Sequence, residues 1–146
     1  MKNEKKLDNK GFSLVELIIV IAIMAVLVGV LAPQFMKYVE QSRRATDIQN
    51  AEMIRDSILA DIADGTLTGS DTGATFEDAS VAVTTGKVHA TAIATAPTIS
   101  GNLLNHGNKF TVDYNATNGT CDVKVGSYTL TDATSAATYK TATTTP

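Results

Sequence analysis

The sequence predicts an α+β protein: a long N-terminal helix packed against a small antiparallel β-sheet head. Three observations predict it. Residues 17–36 form a run of 20 positions without a charge, about 30 Å at the helical rise, which matches the hydrocarbon thickness of a bilayer. Ile48, Ala51, Ile54, Ile58 and Ile62 then recur at steps of three and four, the period of an amphipathic helix lying on something apolar. After residue 79 the chain turns to β-branched or alternating segments separated by Gly, Pro or Asn, as strands are.

Taken in order, residues 1–11 (MKNEKKLDNKG) are short, polar and basic, with nothing to bury. Four lysines against Glu4 and Asp8 give +2, which leaves −5 of the net −3 for the remainder. The basic end stays on the cytoplasmic side of a membrane by the positive-inside rule. The spacing Ser13 to Glu16 matches a capping box and starts a helix at about Ser13. No Gly or Pro intervenes between Pro33 and Gly65, so an apolar half (12–36) and an amphipathic half (37–64) read as one helix. Its length from Ser13 to Asp64 is on the order of 75–80 Å. Ile48, Ile54, Ile58 and Ile62 are the expected buried stripe.

Pro33 lacks an N–H and its ring presses on the carbonyl of Gly29, so this turn is expected to kink or partly unwind. Asp64-Gly65 ends the helix, and residues 65–79, rich in Gly, Thr and Asp, read as a surface loop. The head occupies 80–130, with strands expected at 80–84, 88–95, 108–115, 120–126 and 128–130. Asn118-Gly119 is the signal for a tight hairpin turn, because both central positions of such a turn need positive φ. Residues 131–146, Thr and Ala with almost no large apolar side chain, are expected to be loosely ordered.

Several chemistries lack the residues they need. An acidic remainder with scattered lysines, and no aromatics interleaved with Arg or Lys, does not indicate nucleic acid as a partner. Cys121 is the single cysteine, so no internal disulfide forms, and the expectation is burial as a small hydrophobe. His89, His106 and Cys121 have no close paired ligands and make no metal site. The acids Asp122 and Asp132 are too sparse to hold calcium. No nucleophile elbow, phosphate-cradling loop or HExxH is present, so neither an enzyme nor a cofactor is expected. Asn115-Ala-Thr and Asn118-Gly-Thr fit the glycosylation triplet, which is frequent by chance, and at the second the turn reading prevails.

The N-terminal constellation carries more. Lys10-Gly11 is followed by Phe12-Ser13-Leu14-Val15-Glu16 and then by the aliphatic run. KGFSLVELIIVIAIMAVLVGVLAP resembles the class III signal of type IV prepilins and the related pseudopilins, over roughly residues 1–40. The resemblance implies cleavage after Gly11 by a membrane prepilin peptidase, which also N-methylates the new terminus at Phe12. It further implies identical or related pilin subunits and a membrane assembly platform as partners, and a membrane before assembly. Glu16 is an acid at the start of an apolar segment, a placement that is costly toward mid-bilayer and marks function. In a filament the Phe12 amine of one subunit would pair with Glu16 of another, offsetting the desolvation of both charges. Ala22, Ala25, Gly29 and Ala32 place small side chains on one helix face where another backbone can approach. Many family members carry a glycine where this chain has Ala25, which departs from the pattern of a melted segment near Pro33.

Two function classes follow. The first is a structural subunit of a surface filament serving adhesion, motility or biofilm, with the pseudopilin of a secretion or competence system as its close variant. The second is a secreted or anchored binding module with an ordinary signal cut after Val30-Leu31-Ala32. Glu16, the long apolar run and Pro33 just beyond that site fit the signal template poorly. The absence of a second cysteine resembles pilins of Gram-positive bacteria.

Overall fold

The computed structural model describes residues 11–101 and 107–142. The chain divides into two units, Met1–Lys37 and Tyr38–Pro146. Helix α1 (Leu14–Ala63) starts at a capping box. The Glu16 carboxylate accepts the Ser13 N–H at 2.8 Å, while Ser13 Oγ accepts the Val15 N–H at 3.4 Å. These bonds occupy donors that a helix start otherwise leaves open. The unwinding expected at Pro33 does not occur, since residues 29–33 are helical throughout. Every described residue of the first unit, Gly11 through Lys37, is exposed.

In the second unit the buried positions of α1 are Arg44, Asp47, Ala51, Ile54, Ile58 and Asp61, at steps of three and four. Ile54 and Ile58 are fully enclosed, and Ile48 and Ile62 flank them, partly buried against the same cluster. The stripe is thus apolar in its middle and charged at both ends.

The sheet has the order β2-β1-β3-β4-β5, with β1 (Ser70–Phe76), β2 (Lys87–Val88), β3 (Thr111–Asn115), β4 (Thr120–Val125) and β5 (Tyr128–Thr129). It is mixed, because β2 lies parallel to β1 while the other pairings are antiparallel. Val112 and Tyr114 of β3, and Cys121, Val123 and Val125 of β4, point into the core with Phe76, Phe110 and Leu130. Their outward neighbours are polar, the alternation of a half-buried sheet.

Several expectations need correction. Residues 65–79 contain strand β1, hidden in a Gly- and Thr-rich stretch because the strand carries a bulge. The register shifts by one residue between Asp71 and Ala74, and Gly73 sits there at φ 72°, a left-handed conformation that glycine adopts freely. The Gly73 N–H, turned out of the ladder, donates to Asp113 Oδ1 at 2.6 Å. Residues 80–84 are not a strand: only Thr84 bridges, exchanging both backbone hydrogen bonds with Lys87 across the tight turn 84–87. Of 88–95 only Val88 is in a strand. The third strand is shorter at its start than expected, although Lys109 bridges Thr98.

The Asn118-Gly119 hairpin has four connecting residues, not two, since Asn115 pairs with Thr120 across residues 116–119. Residues 131–146 are not a loose tail. Helix α2 (Ala133–Thr141) forms there, capped by Asp132, whose carboxylate accepts the Ser135 N–H at 2.8 Å. It anchors through Tyr139, which is fully buried. Residues 143–146 lie outside the described residues, as do positions 1–10 of the expected leader.

Truncating Ile58 to alanine is expected to cost about 2–5 kcal/mol of stability, the range for emptying a closed aliphatic site. Denaturant unfolding of the full chain checks this, with Ile62→Ala as a comparison expected to cost less because Ile62 is only partly enclosed.

Candidate functional site

Two groupings of residues carry chemistry, one in each unit. The first is the start of α1. Gly11 precedes the helix and Phe12 is 94% exposed, so the Gly11–Phe12 peptide is sterically open. Glu16 lies one turn into the helix, with its carboxylate turned back onto the Ser13 N–H. Beyond it the segment is aliphatic on every face and exposed on every face. A helix apolar all round belongs in a membrane or inside a larger packed assembly. It is the one helix among the described residues long and apolar enough to cross a membrane, by length and composition. Ala22, Ala25, Gly29 and Ala32 are exposed along it. A Cβ built on Gly29 would meet nothing within 4 Å, so packing within this chain does not require glycine there.

The second grouping joins α1 to the segment around residue 100 and to α2. Asp47 is 0% exposed. Its Oδ1 accepts the Ser100 N–H at 2.6 Å, and its Oδ2 accepts the Gly101 N–H at 2.8 Å and the Tyr139 hydroxyl at 2.7 Å. One turn earlier, Arg44 donates to the carbonyls of Tyr139 and Ala142 at the end of α2, and its Nε donates to Glu40 at 2.9 Å. The guanidinium carbon lies 5.7 Å from the centre of the Tyr139 ring, within cation–π range. Burial, and then the hydrogen bond to the Asp47 carboxylate, push the Tyr139 hydroxyl well above the ordinary phenol range. A Cβ on Gly101 would stand 2.7 Å from the Tyr139 hydroxyl and 2.9 Å from Asp47 Oδ2, so this position admits glycine alone without movement.

This cluster was not among the sequence candidates. Its signal was present, because Arg44 and Asp47 continue the three-and-four spacing of Ala51, Ile54 and Ile58 toward the N-terminus. Two charges in phase with a buried stripe ask for partners, and Gly101 and Tyr139 supply them.

Of the remaining candidates, Cys121 is buried and its thiol is pushed up to about 12, chiefly by burial and then by the Asp122 charge. His89 is partly buried, with no hydrogen bond to its Nδ1. His106 lies outside the described residues. Among the described residues no three His, Cys, Asp or Glu side chains gather as a metal site. On the sheet surface Lys124 pairs with Asp113 and Lys109 with Glu77. Burial works against an ionised Asp113, but the hydrogen bonds from Lys124 and from the Gly73 N–H outweigh it and hold the carboxyl below its usual range.

Comparison with known proteins bears on the first grouping. Residues 6–32 match the prokaryotic N-terminal methylation motif. Prepilin peptidase-dependent protein A of Clostridium perfringens (strain 13 / Type A) is 42% identical over 72 residues, 48% of this chain and 51% of the relative. The chain therefore spans about half the length of the curated relative it matches. No solved structure matches it. Its N-terminal segment is thus similar to those of proteins that carry this methylation motif. The matched motif runs directly into the long apolar stretch of α1.

Two outcomes test the second unit. Tyr139→Phe removes one donor from a fully enclosed carboxylate and is expected to destabilise by about 1–3 kcal/mol, while Gly101→Ala costs about the same by overpacking; thermal unfolding reads both. The raised thiol makes Cys121 inert to alkylating reagents in mildly alkaline buffer until the chain is unfolded, which mass spectrometry after timed alkylation measures.

Proposed function

We propose that this chain is a structural subunit of a type IV pilus, cleaved between Gly11 and Phe12 and polymerised through its N-terminal helix into a surface filament. The observation that carries the reading is the helix segment up to Lys37, apolar and exposed on all faces, with the single carboxylate of Glu16 one turn from its start. Such a segment is stable in lipid or against copies of itself, and not in water.

The role is structural rather than catalytic. Gly11 offers a peptidase an unhindered extended backbone, and cleavage creates a cationic amine on Phe12 that the same enzyme methylates. In the bilayer the Glu16 carboxylate sits near the interface. On assembly, the amine of an incoming subunit meets a neighbour's Glu16, and an axial register that leaves either charge unpaired in the apolar core is disfavoured. The small residues Ala22, Ala25, Gly29 and Ala32 admit close approach of adjoining helices, since nothing in the chain itself fills the space over Gly29. Adhesion, motility and biofilm formation are the tasks such a fibre performs.

The test is the N-terminal residue and intact mass of protein sheared from the cell surface. The expected result is N-methylated Phe12 in sedimenting filaments, with Gly11→Val accumulating as uncleaved precursor and Glu16→Ala processed but failing to form filaments. A processed subunit confined to the membrane, without fibres, would assign it to the pseudopilins. A start at Pro33, or a soluble monomer in the medium, would overturn the filament reading.

A further inference from the structure

The connection between β3 and β4 carries chemistry that assembly does not use. Asn118 is the one asparagine in the sequence followed by glycine, and it is exposed in the four-residue turn 116–119. The turn is held by one of its backbone groups: the Asn118 N–H donates to Asn115 Oδ1 at 3.0 Å. Gly119 sits at φ 64°, it is exposed, and it carries no side chain to crowd the backbone on the C-terminal side of Asn118. The geometry points to the Asn118–Gly119 peptide as a site of spontaneous covalent modification, where the carboxamide of Asn118 is lost by intramolecular cyclisation.

The reaction needs water alone. The Gly119 backbone nitrogen attacks Asn118 Cγ. A Cγ–N bond forms, the Cγ–Nδ2 bond breaks, and ammonia leaves carrying the proton that the Gly119 nitrogen gives up. Water then opens the five-membered imide at either carbonyl. Opening at Cγ leaves aspartate with the chain in its original path. Opening at the Asn118 main-chain carbonyl leaves isoaspartate, with the chain routed through Cγ and one atom longer. Exposed loop tips undergo such chemistry because nothing holds their backbone away from the reactive geometry.

The other asparagines among the described residues are placed differently. Asn50 lies inside α1, Asn115 is the last residue of β3 with its carboxamide engaged, and Asn108 precedes a lysine. The product adds a negative charge to a hairpin whose outer face already sets Asp113 opposite Asp122. Like charges across strands weaken pairing, and only Asp113 of the two is paired with a lysine. On a long-lived surface the turn therefore records age, becoming more acidic and, in the isoaspartate form, changing its backbone path.

The experiment incubates the full chain in detergent at neutral and at mildly alkaline pH, with a time-zero sample as reference. Cleavage at Lys109 and Lys124 releases residues 110–124 as one peptide holding both Asn115 and Asn118. Fragmentation is expected to place the loss of amide nitrogen at Asn118, split between aspartate and isoaspartate, and faster at the higher pH because the attacking nitrogen must shed its proton. Asn118→Gln, whose longer side chain disfavours the five-membered ring, is expected to abolish the gain while the protein stays folded. Retention of the Asn118 amide while Asn115 or Asn108 loses its own would overturn the proposal. So would an unchanged gain in the Gln variant, or an Asn118 already occupied by sugar.

Discussion

The carboxylate of Asp47 is the interaction on which the second unit turns. A fully enclosed carboxylate is tolerated when hydrogen bonds replace its hydration, and Asp47 accepts three: two backbone N–H groups at residues 100 and 101 and the phenol of Tyr139. Each donor comes from a part of the chain distant in sequence, so satisfying one charge fixes where two segments lie on α1. Arg44 adds the complement by taking the last carbonyls of α2, groups that a helix end leaves open.

The same device recurs along residues 89–101, which are buried at several points yet form no ladder. Their backbone donors must end somewhere. Thr91 donates to Asp61 at 2.6 Å and Ala96 to Asp78 at 2.7 Å, before Ser100 and Gly101 reach Asp47. Three aspartates thus stand in for a neighbouring strand, and Ala90, Ile93, Ala96 and Ile99 are free to cover the core. The sheet stays narrow at its margins, where β2 and β5 have two residues each and present few open ladder groups for unwanted pairing.

This division explains what could be read from residue order. The N-terminal helix was legible because its signals are local: an uncharged run, a capping box three residues apart, isoleucines at helical spacing. The hairpin of β3 and β4 was legible through its alternation. Strand β1 was not, because a bulge at Gly73 breaks the period and its stabilising bond goes to Asp113, 40 residues away. Residues 80–95 have strand-like composition, but their backbone donors go to local turn carbonyls and, at Gly86 and Thr91, to Asp71 and Asp61, which no local window reveals. Helix α2 was missed for the same reason: its Thr- and Ala-rich sequence has weak intrinsic preference, and its stability rests on Tyr139 entering a site built by Arg44 and Asp47. At the start of α1 the methylation motif was readable because its residues are contiguous in sequence.

The clamp on Tyr139 also sets the order of events during synthesis. Asp47 and Arg44 leave the ribosome early, while their partner follows 92 residues behind Asp47. Until then the charges of α1 have no buried site to enter, and the apolar middle of the stripe has only part of its cover. Contacts so far apart close late. The head can therefore reach its finished state only after Tyr139 has emerged, whatever the fate of the helix that emerged first.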